Sequence, residues 1–479
     1  MRYEATLTEA IAKKAQNHLF AQIRLGKQQE DLCFALWRPS TGEYRTTGIV
    51  TELILPLDGE RNLHGNVSFE SKYLARVIRK AYDREMGVAF MHSHPSPGWQ
   101  EMSNLDIVAE RDRIAPPARS SGFPLLGLTV GIDGVWSARF WIWNGMKFSR
   151  TFCDKVRVIG KKIHLSLPPK ESPSIRTTRL RRTLDTWGVE YQTVLSNLKI
   201  GVVGLGSVGA VVAETLSRIG VTDILLLDAD RIEEHNLDRL LHATAKNIGC
   251  FKVDVVAKNL RHSASASSFH VEAKRAWVQE RDAYTAALDC DILFSAVDRP
   301  LPKDLLNNIA YVHNIPVIFG GIRVATKPNG RLGDAAWSVV RAGPGSRCLR
   351  CDGQYTSSDV VMEHDGSLSD SSYINQSAKK FENQNVFPFT INLGSLMVLE
   401  MIRAIIHEPW WGSSPTKLHY TFLSNKLTSK ISTCLDGCSV VERTGEGDNW
   451  TYAFLDEPVI RKDSFLRILS SAIRRLLGK

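Results

Sequence analysis

The sequence predicts two α/β domains in series, the second built on a doubly wound, mostly parallel sheet. Three observations point there. Gly204, Gly206 and Gly209 follow a β-branched run at 200–203 and precede an apolar helical stretch at 210–219, which is G-x-G-x-x-G at a strand-to-helix turn. After residue 252, apolar runs at 270–272, 292–297 and 315–321 alternate with helical spacing, as at 301–313, the rhythm of strands joined by crossover helices. Residues 1–155 carry strand and helix signals of their own, while 156–178 mix Pro, Ser and Lys with little periodicity. The expected division is a first domain at 1–155, a linker at 156–178, a second domain at 179–460 and a basic amphipathic helix at 461–479.

Composition narrows the class. With 479 residues and 43% apolar content the chain can bury two or three cores. Its 60 Lys and Arg against 51 Asp and Glu give +9, which selects no partner by itself; no nucleic acid is expected. The opening residues lack an apolar signal core, and the most apolar late segment, 390–406, is broken by Asn392, Glu400 and Arg403. No membrane span is therefore expected, and a cytoplasmic location is. Eight cysteines include two close pairs, read in a reducing compartment as metal ligands before disulfides.

In the first domain, 30–37 alternates as a strand, 48–57 is another, 71–85 has helical spacing, and 87–91 is a short buried strand. That strand delivers His92 and His94. Residues i and i+2 of a strand project from one side, so the two imidazoles suit a shared metal. Nine residues on, Ser103 would cap a helix and Asp106 turn its carboxylate back to the same ion. Two His and one Asp leave a tetrahedral position open, the arrangement of a hydrolytic zinc.

In the second domain the glycine turn places backbone N–H groups where they can face a phosphate, as at the start of a Rossmann unit. Asp228, 19 residues beyond Gly209, ends the next apolar strand, where a ribose hydroxyl is expected. A redox cofactor does not need Asp230, Asn236, Arg239 and Lys252 as well. A nucleoside triphosphate attacked by a carboxylate does: the cations neutralise the α-phosphate and leaving pyrophosphate, and the acids hold Mg²⁺ or ribose. Later, Cys348 and Cys351 form C-x-x-C and Cys434 and Cys438 form C-x₃-C, four thiolates suited to a closed structural zinc knot. The stretch 352–389 between the pairs is polar and has no cysteine, and is expected to be a crossover above the site. Cys33, Cys153, Cys250 and Cys290 are read by default as buried thiols, Cys250 being the one near the nucleotide.

Order and spacing over roughly 176–440 resemble the adenylyltransferase family of ubiquitin-activating enzymes and their ThiF/MoeB-type relatives, down to the thirteen residues from Arg239 to Lys252; Ser207 departs from the usual Gly or Ala. The resemblance implies ATP and Mg²⁺ as cofactors, a nucleotide role for Asp298 at the end of a later strand, a homodimer, and an arginine given to the partner's ATP. Arg179 and Arg182 are both candidates for that arginine, with a solvated basic helix face as the competing reading. Residues 92–106 resemble the JAMM (MPN+) metalloprotease family, whose fold is a cytidine-deaminase-like α/β domain. That likeness implies a catalytic Zn²⁺ on His92, His94 and Asp106, an oxyanion role for Ser103, and an upstream glutamate as general base. Glu30 is the choice, since it opens the first strand, with Glu43, Glu52 and Glu70 as rivals.

Together the resemblances imply a bifunctional bacterial enzyme that adenylates the C-terminal glycine of a ubiquitin-like (β-grasp) protein and hydrolyses at a JAMM zinc, in a conjugation system tied to phage defence. A ubiquitin-conjugating-enzyme-like protein would be a further partner. The alternative is activation and trimming of a sulfur carrier for cysteine, thiamine or molybdopterin synthesis.

Overall fold

The structure, a computed structural model, describes residues 1–27, 29–64, 66–169, 178–369, 385–406 and 415–457. The expected helix at 461–479 lies outside these residues, as do 370–384 of the polar crossover.

Strands of the first half are β1 (Arg2–Thr8), β2 (Leu32–Thr41), β3 (Arg45–Ile54), β4 (Arg61–His64), β5 (Asn66–Phe69), β6 (Gly87–Ser93), β7 (Leu125–Val130), β8 (Trp136–Trp143), β9 (Phe148–Phe152), β10 (Val156–Ile159) and β11 (Ile163–Ser166). Nine form one mixed sheet, ordered β11-β10-β1-β3-β2-β6-β7-β8-β9, and β4 and β5 pair as a separate hairpin. Both faces of this sheet are covered. Leu7, Trp37, Val50 and Phe140 pack with Ala12, Ala15 and Leu19 of the helix Glu9–Leu19. On the other face Phe34 and Phe90 meet Tyr73 and Val77 of the helix Ser71–Asp83.

Residues 156–166 are not linker. Val156–Ile159 lies parallel to β1, wholly buried, and turns back antiparallel as β11. Gly160, Lys161 and Lys162, which read as a break, are the turn of this hairpin. Parallel pairing with the distant β1 leaves no local alternation, so the strand carries no signal of its own.

The second half contains β12 (Lys199–Val203), β13 (Asp223–Leu227), β14 (His270–Lys274), β15 (Ile292–Ser295), β16 (Val317–Thr326), β17 (Leu332–Ala342), β18 (Lys417–Thr421) and β19 (Lys426–Lys430). They form one sheet ordered β14-β13-β12-β15-β16-β17-β18-β19. From β14 to β16 neighbours are parallel, and from β16 to β19 antiparallel. The strand order reverses at β12, which puts a crevice at the carboxyl ends of β12, β13 and β15. The helices Ser207–Arg218, Lys252–Ser263 and Phe387–Ile405 pack on one face, and Arg281–Ala287 and Pro300–Val312 on the other. By length and composition Phe387–Ile405 could cross a membrane. Here Leu393, Met397 and Met401 bury it in the core.

Candidate functional site

Two groups of polar side chains and one of thiols converge. The first lies at the crevice. β12 ends at Val203, and Gly204 takes φ +85°, a left-handed conformation that glycine adopts without a Cβ clash. Gly206 stands at the N-terminus of the helix Ser207–Arg218. A Cβ on Gly209 would lie 1.8 Å from the Gly204 carbonyl oxygen, so the helix can approach the turn only with glycine there. The Asp228 carboxylate is tied to this turn, accepting from Leu205 N at 2.6 Å and from Asp230 N at 2.7 Å. Burial pushes its carboxyl up, against the pull of Lys252 and those N–H bonds.

Asp228, Asp230, Asn236, Arg239, Lys252 and Asp298 all line one cavity of about 380 Å³ beside Gly204 and Gly206. Lys252 Nζ donates to Asp230 Oδ2 at 2.9 Å. Arg239 donates to the His235 carbonyl at 2.5 Å and to Asp238 at 2.7 Å. Asn236 Oδ1 accepts from Glu233 N, closing a one-turn cap. Arg179 and Arg182 are not among the residues lining this cavity; Arg179 donates to the Ala264 carbonyl at 3.3 Å. Sequence reasoning missed Trp277, Gln279, Lys303 and Glu363, which also line it. Lys303 donates to the Asp298 carbonyl at 2.9 Å, and burial pulls its ammonium down. Its place five residues after Asp298, one turn into the following helix, was the available signal.

The second group sits at the end of β6. His92 Nε2 is 3.1 Å from His94 Nε2, and Asp106 brings Oδ1 to 3.5 Å from the former and Oδ2 to 3.4 Å from the latter. One donor atom from each of the three residues lies within 4.8 Å of the other two, and two imidazoles with one carboxylate are the donor types a zinc ion takes. Asp106 is aimed by the capping box at the start of the helix Asn104–Val108: Ser103 N and Oγ donate to its Oδ2 at 2.9 and 2.8 Å. The Ser103 hydroxyl thus serves Asp106 here, and an oxyanion role requires it to exchange that bond. Burial and the cation of Arg139 push His92 down to about 3, leaving a neutral imidazole. For Asp106 burial acts upward, but His94, His92 and Ser103 outweigh it and hold the carboxyl well below the ordinary range.

Glu30 carries a carboxyl pushed up by burial and felt electrostatically by His94 and Asp106. The other glutamates are engaged elsewhere: Glu43 accepts from Lys274, Glu52 from Lys80 and Arg84, and Glu70 from Asn62. Behind Glu30, wholly buried Asp31 pairs with Arg61 of β4, and its N–H donates to Ser93 Oγ, between the two histidines.

Cys348, Cys351, Cys434 and Cys438 converge with all four sulfurs within 4.8 Å of one another. Cys438 Sγ lies 3.7 Å from Cys348 and 3.5 Å from Cys351, far beyond a disulfide at about 2.05 Å and near the edge of a zinc–thiolate tetrahedron with bonds of about 2.3 Å. Of the other thiols, Cys33, Cys153 and Cys290 are buried, whereas Cys250 is exposed, contrary to the buried-thiol expectation. It lies in the turn leading to Lys252, whose backbone bonds leave the side chain outside.

The glycine turn thus stands at the carboxyl edge of a parallel sheet in a doubly wound α/β domain, with acids and cations around one cavity. Residues 178–438 match the ThiF family, and the chain belongs to it. It is 25% identical over 265 residues to the adenylyltransferase and sulfurtransferase uba4 of Aspergillus clavatus, covering 52% of this chain and 48% of that protein. Against the SAMP-activating enzyme E1 of Haloferax volcanii it is 28% identical over 166 residues, 35% of this chain and 58% of that one. The chain thus spans about half the length of these curated relatives. Among solved structures, E. coli MccB with ATP aligns at 20% identity and a TM-score of 0.42, covering 56% of this chain and 76% of that one.

Proposed function

We propose that this chain is an ATP-dependent adenylyltransferase that activates the C-terminal carboxylate of a small β-grasp carrier protein, and that its first half holds a hydrolytic zinc centre acting on the same tail. The observation that carries the first part is the cavity in which Asp228, Asp230, Arg239 and Lys252 surround the glycine turn. Family membership supports it, and relatives named for both adenylyl and sulfur transfer favour a sulfur carrier over a conjugated modifier. A conjugation system, including one serving phage defence, is the second reading; it uses the same two centres.

In the adenylation step a carrier carboxylate oxygen attacks the α-phosphorus, the new O–P bond forms, the bond to the β-phosphate oxygen breaks, and pyrophosphate leaves. Arg239 and Lys252 neutralise charge developing on the phosphates, and the N–H groups of the first turn of the helix Ser207–Arg218 cradle them. Mg²⁺ held by Asp230 or Asp298 would supply charge neutralisation at the leaving group. Asp230 would do so by releasing Lys252, which is then free for phosphate. Asp228 holds the turn and accepts from ribose.

At the second centre, zinc on His92, His94 and Asp106 would supply Lewis acidity to a scissile carbonyl and a water. Glu30 takes the proton and returns it to the leaving amine. Purified protein given ATP, Mg²⁺ and β-grasp carriers ending in glycine should exchange labelled pyrophosphate into ATP. Absence of exchange with every carrier would overturn the adenylation reading. A carrier adduct broken by thiols would favour conjugation over sulfur transfer.

A further inference from the structure

We propose that Gln100 is a positioning residue that locks His94 in its Nδ1–H tautomer and so presents the Nε2 lone pair to the metal; this rests on the zinc-centre reading of the first half. Gln100 lies in the loop between His94 and Ser103 and is 7% exposed. Its side-chain nitrogen stands 3.0, 2.9 and 2.7 Å from the carbonyl oxygens of Ser96, Pro97 and Gly98. Carbonyl oxygens only accept, so the group facing them must be the NH₂ end of the amide. The amide oxygen is therefore the end that faces His94, 3.3 Å from Nδ1.

An amide oxygen also only accepts, which obliges Nδ1 to carry the proton. In a neutral imidazole the other nitrogen then has its lone pair free. That nitrogen, Nε2, points at His92 and Asp106. The support is rigid. Ile132 N donates to the Ser96 carbonyl at 3.2 Å and Gly98 N to Asp133 at 2.8 Å, so the loop is fastened to the β7–β8 turn. His94 N itself donates to the Val130 carbonyl. Gln100 thus ties the orientation of one ligand to the turn between β7 and β8.

Outer partners of this kind typically contribute about 10–100-fold in metal affinity. The test uses the full chain and two variants. Gln100→Met keeps the volume and removes the amide; Gln100→Glu keeps an acceptor for Nδ1 and removes the donor to the carbonyls. Zinc affinity is read by competition with a chromophoric chelator, with retention of the cysteine-bound zinc reporting a folded chain. Tautomers are read by ¹⁵N-histidine NMR after chelation of the first-half metal, with His94→Gln identifying the signal.

The expected result is an Nδ1–H imidazole in wild type and Gln100→Glu, and a shift toward Nε2–H with about 10–100-fold weaker zinc binding in Gln100→Met. An Nε2–H tautomer in wild type overturns the proposal. So does wild-type zinc affinity in Gln100→Met, or a Gln100→Glu variant that follows Gln100→Met, since the amide would then only clamp the loop. Failure of the zinc-centre reading looks different: Asp106→Asn would leave zinc stoichiometry unchanged, while the tautomer still answers for Gln100.

Discussion

Lys252 and Arg239 touch their own chain in ways that cost little to undo. The Lys252–Asp230 pair is partly open, with side chains 13% and 46% exposed, and such pairs contribute about 0–1 kcal/mol to stability. Lys252→Ala should therefore melt near wild type while losing on the order of 10²–10³-fold in pyrophosphate exchange, the size of losing one transition-state donor. A parallel fall in melting temperature would instead make Lys252 structural. Gly209→Ala works the other way round. Its Cβ would strike a backbone oxygen that cannot yield, so the turn must shift; nucleotide binding, read by calorimetry, should be lost. These residues were legible because their chemistry is local: glycines where a helix meets a turn, paired imidazoles two apart on a strand. Gln100 was not, because its meaning is set by three carbonyls and a ring nitrogen that only the folded loop brings to it.

At the scale of elements, the helix carrying Asp106 continues into a wide π turn, Ala109–Ile114, that carries Glu110 inward. Glu110 and Arg139 of β8 are both wholly buried; Arg139 Nε donates to Glu110 at 2.9 Å, Trp141 Nε1 at 2.6 Å, and Arg139 Nη1 reaches Thr129 at 2.5 Å. Gly127 leaves room for them, since a Cβ there would lie 2.5 Å from the carboxylate. The pair therefore anchors the Asp106 helix to the strands beside β6. Glu110→Ala leaves a buried guanidinium without its counter-ion, which costs about 3–5 kcal/mol. The expected outcome is a clear drop in denaturation midpoint together with loss of the zinc binding proposed for the first half. Retention of that zinc at wild-type affinity would detach Glu110 from the site. Strand β10 and this π turn were illegible for the same reason: parallel pairing across 150 residues and a buried ion pair leave no periodic trace, whereas the strand-turn-helix after Lys199 does.

Over the whole molecule the two halves are joined by a buried polar seam. Arg45 of β3 donates to Glu4 at 2.9 Å and to Asp291 at 2.7 Å, and caps the carbonyls of Leu288 and Cys290. Lys155 reaches Asp291 at 2.7 Å. Alongside, His313 stands between Ser40 of the first half and Tyr284 of the second, both at 2.8 Å. The turn at Gly42 leaves no space, since a Cβ there would lie 2.1 Å from Asp289. Lys274, whose carbonyl holds Asp228 N, also bonds Glu43, so the seam ends beside the crevice lined by Asp228. Burial pushes His313 down to about 3. A depressed histidine stays neutral in the fold while the unfolded chain takes up a proton below about 6.5. Its contribution is thus complete above that pH and shrinks as pH falls toward 3. Asp291 is also depressed: burial acts upward, but Lys155, Arg45 and Arg157 outweigh it. Its contribution is complete above the ordinary carboxylate range and is lost only below it. Between pH 7.5 and 5, then, the contribution of His313 should fall by about 2 kcal/mol. Urea melts at the two pH values should show a loss on acidification in wild type that is about 2 kcal/mol smaller in His313→Gln, whereas Asp291→Asn should lower stability at both and leave the slope in place. An unchanged slope in His313→Gln would assign the acid sensitivity to another group and leave the seam without a histidine switch.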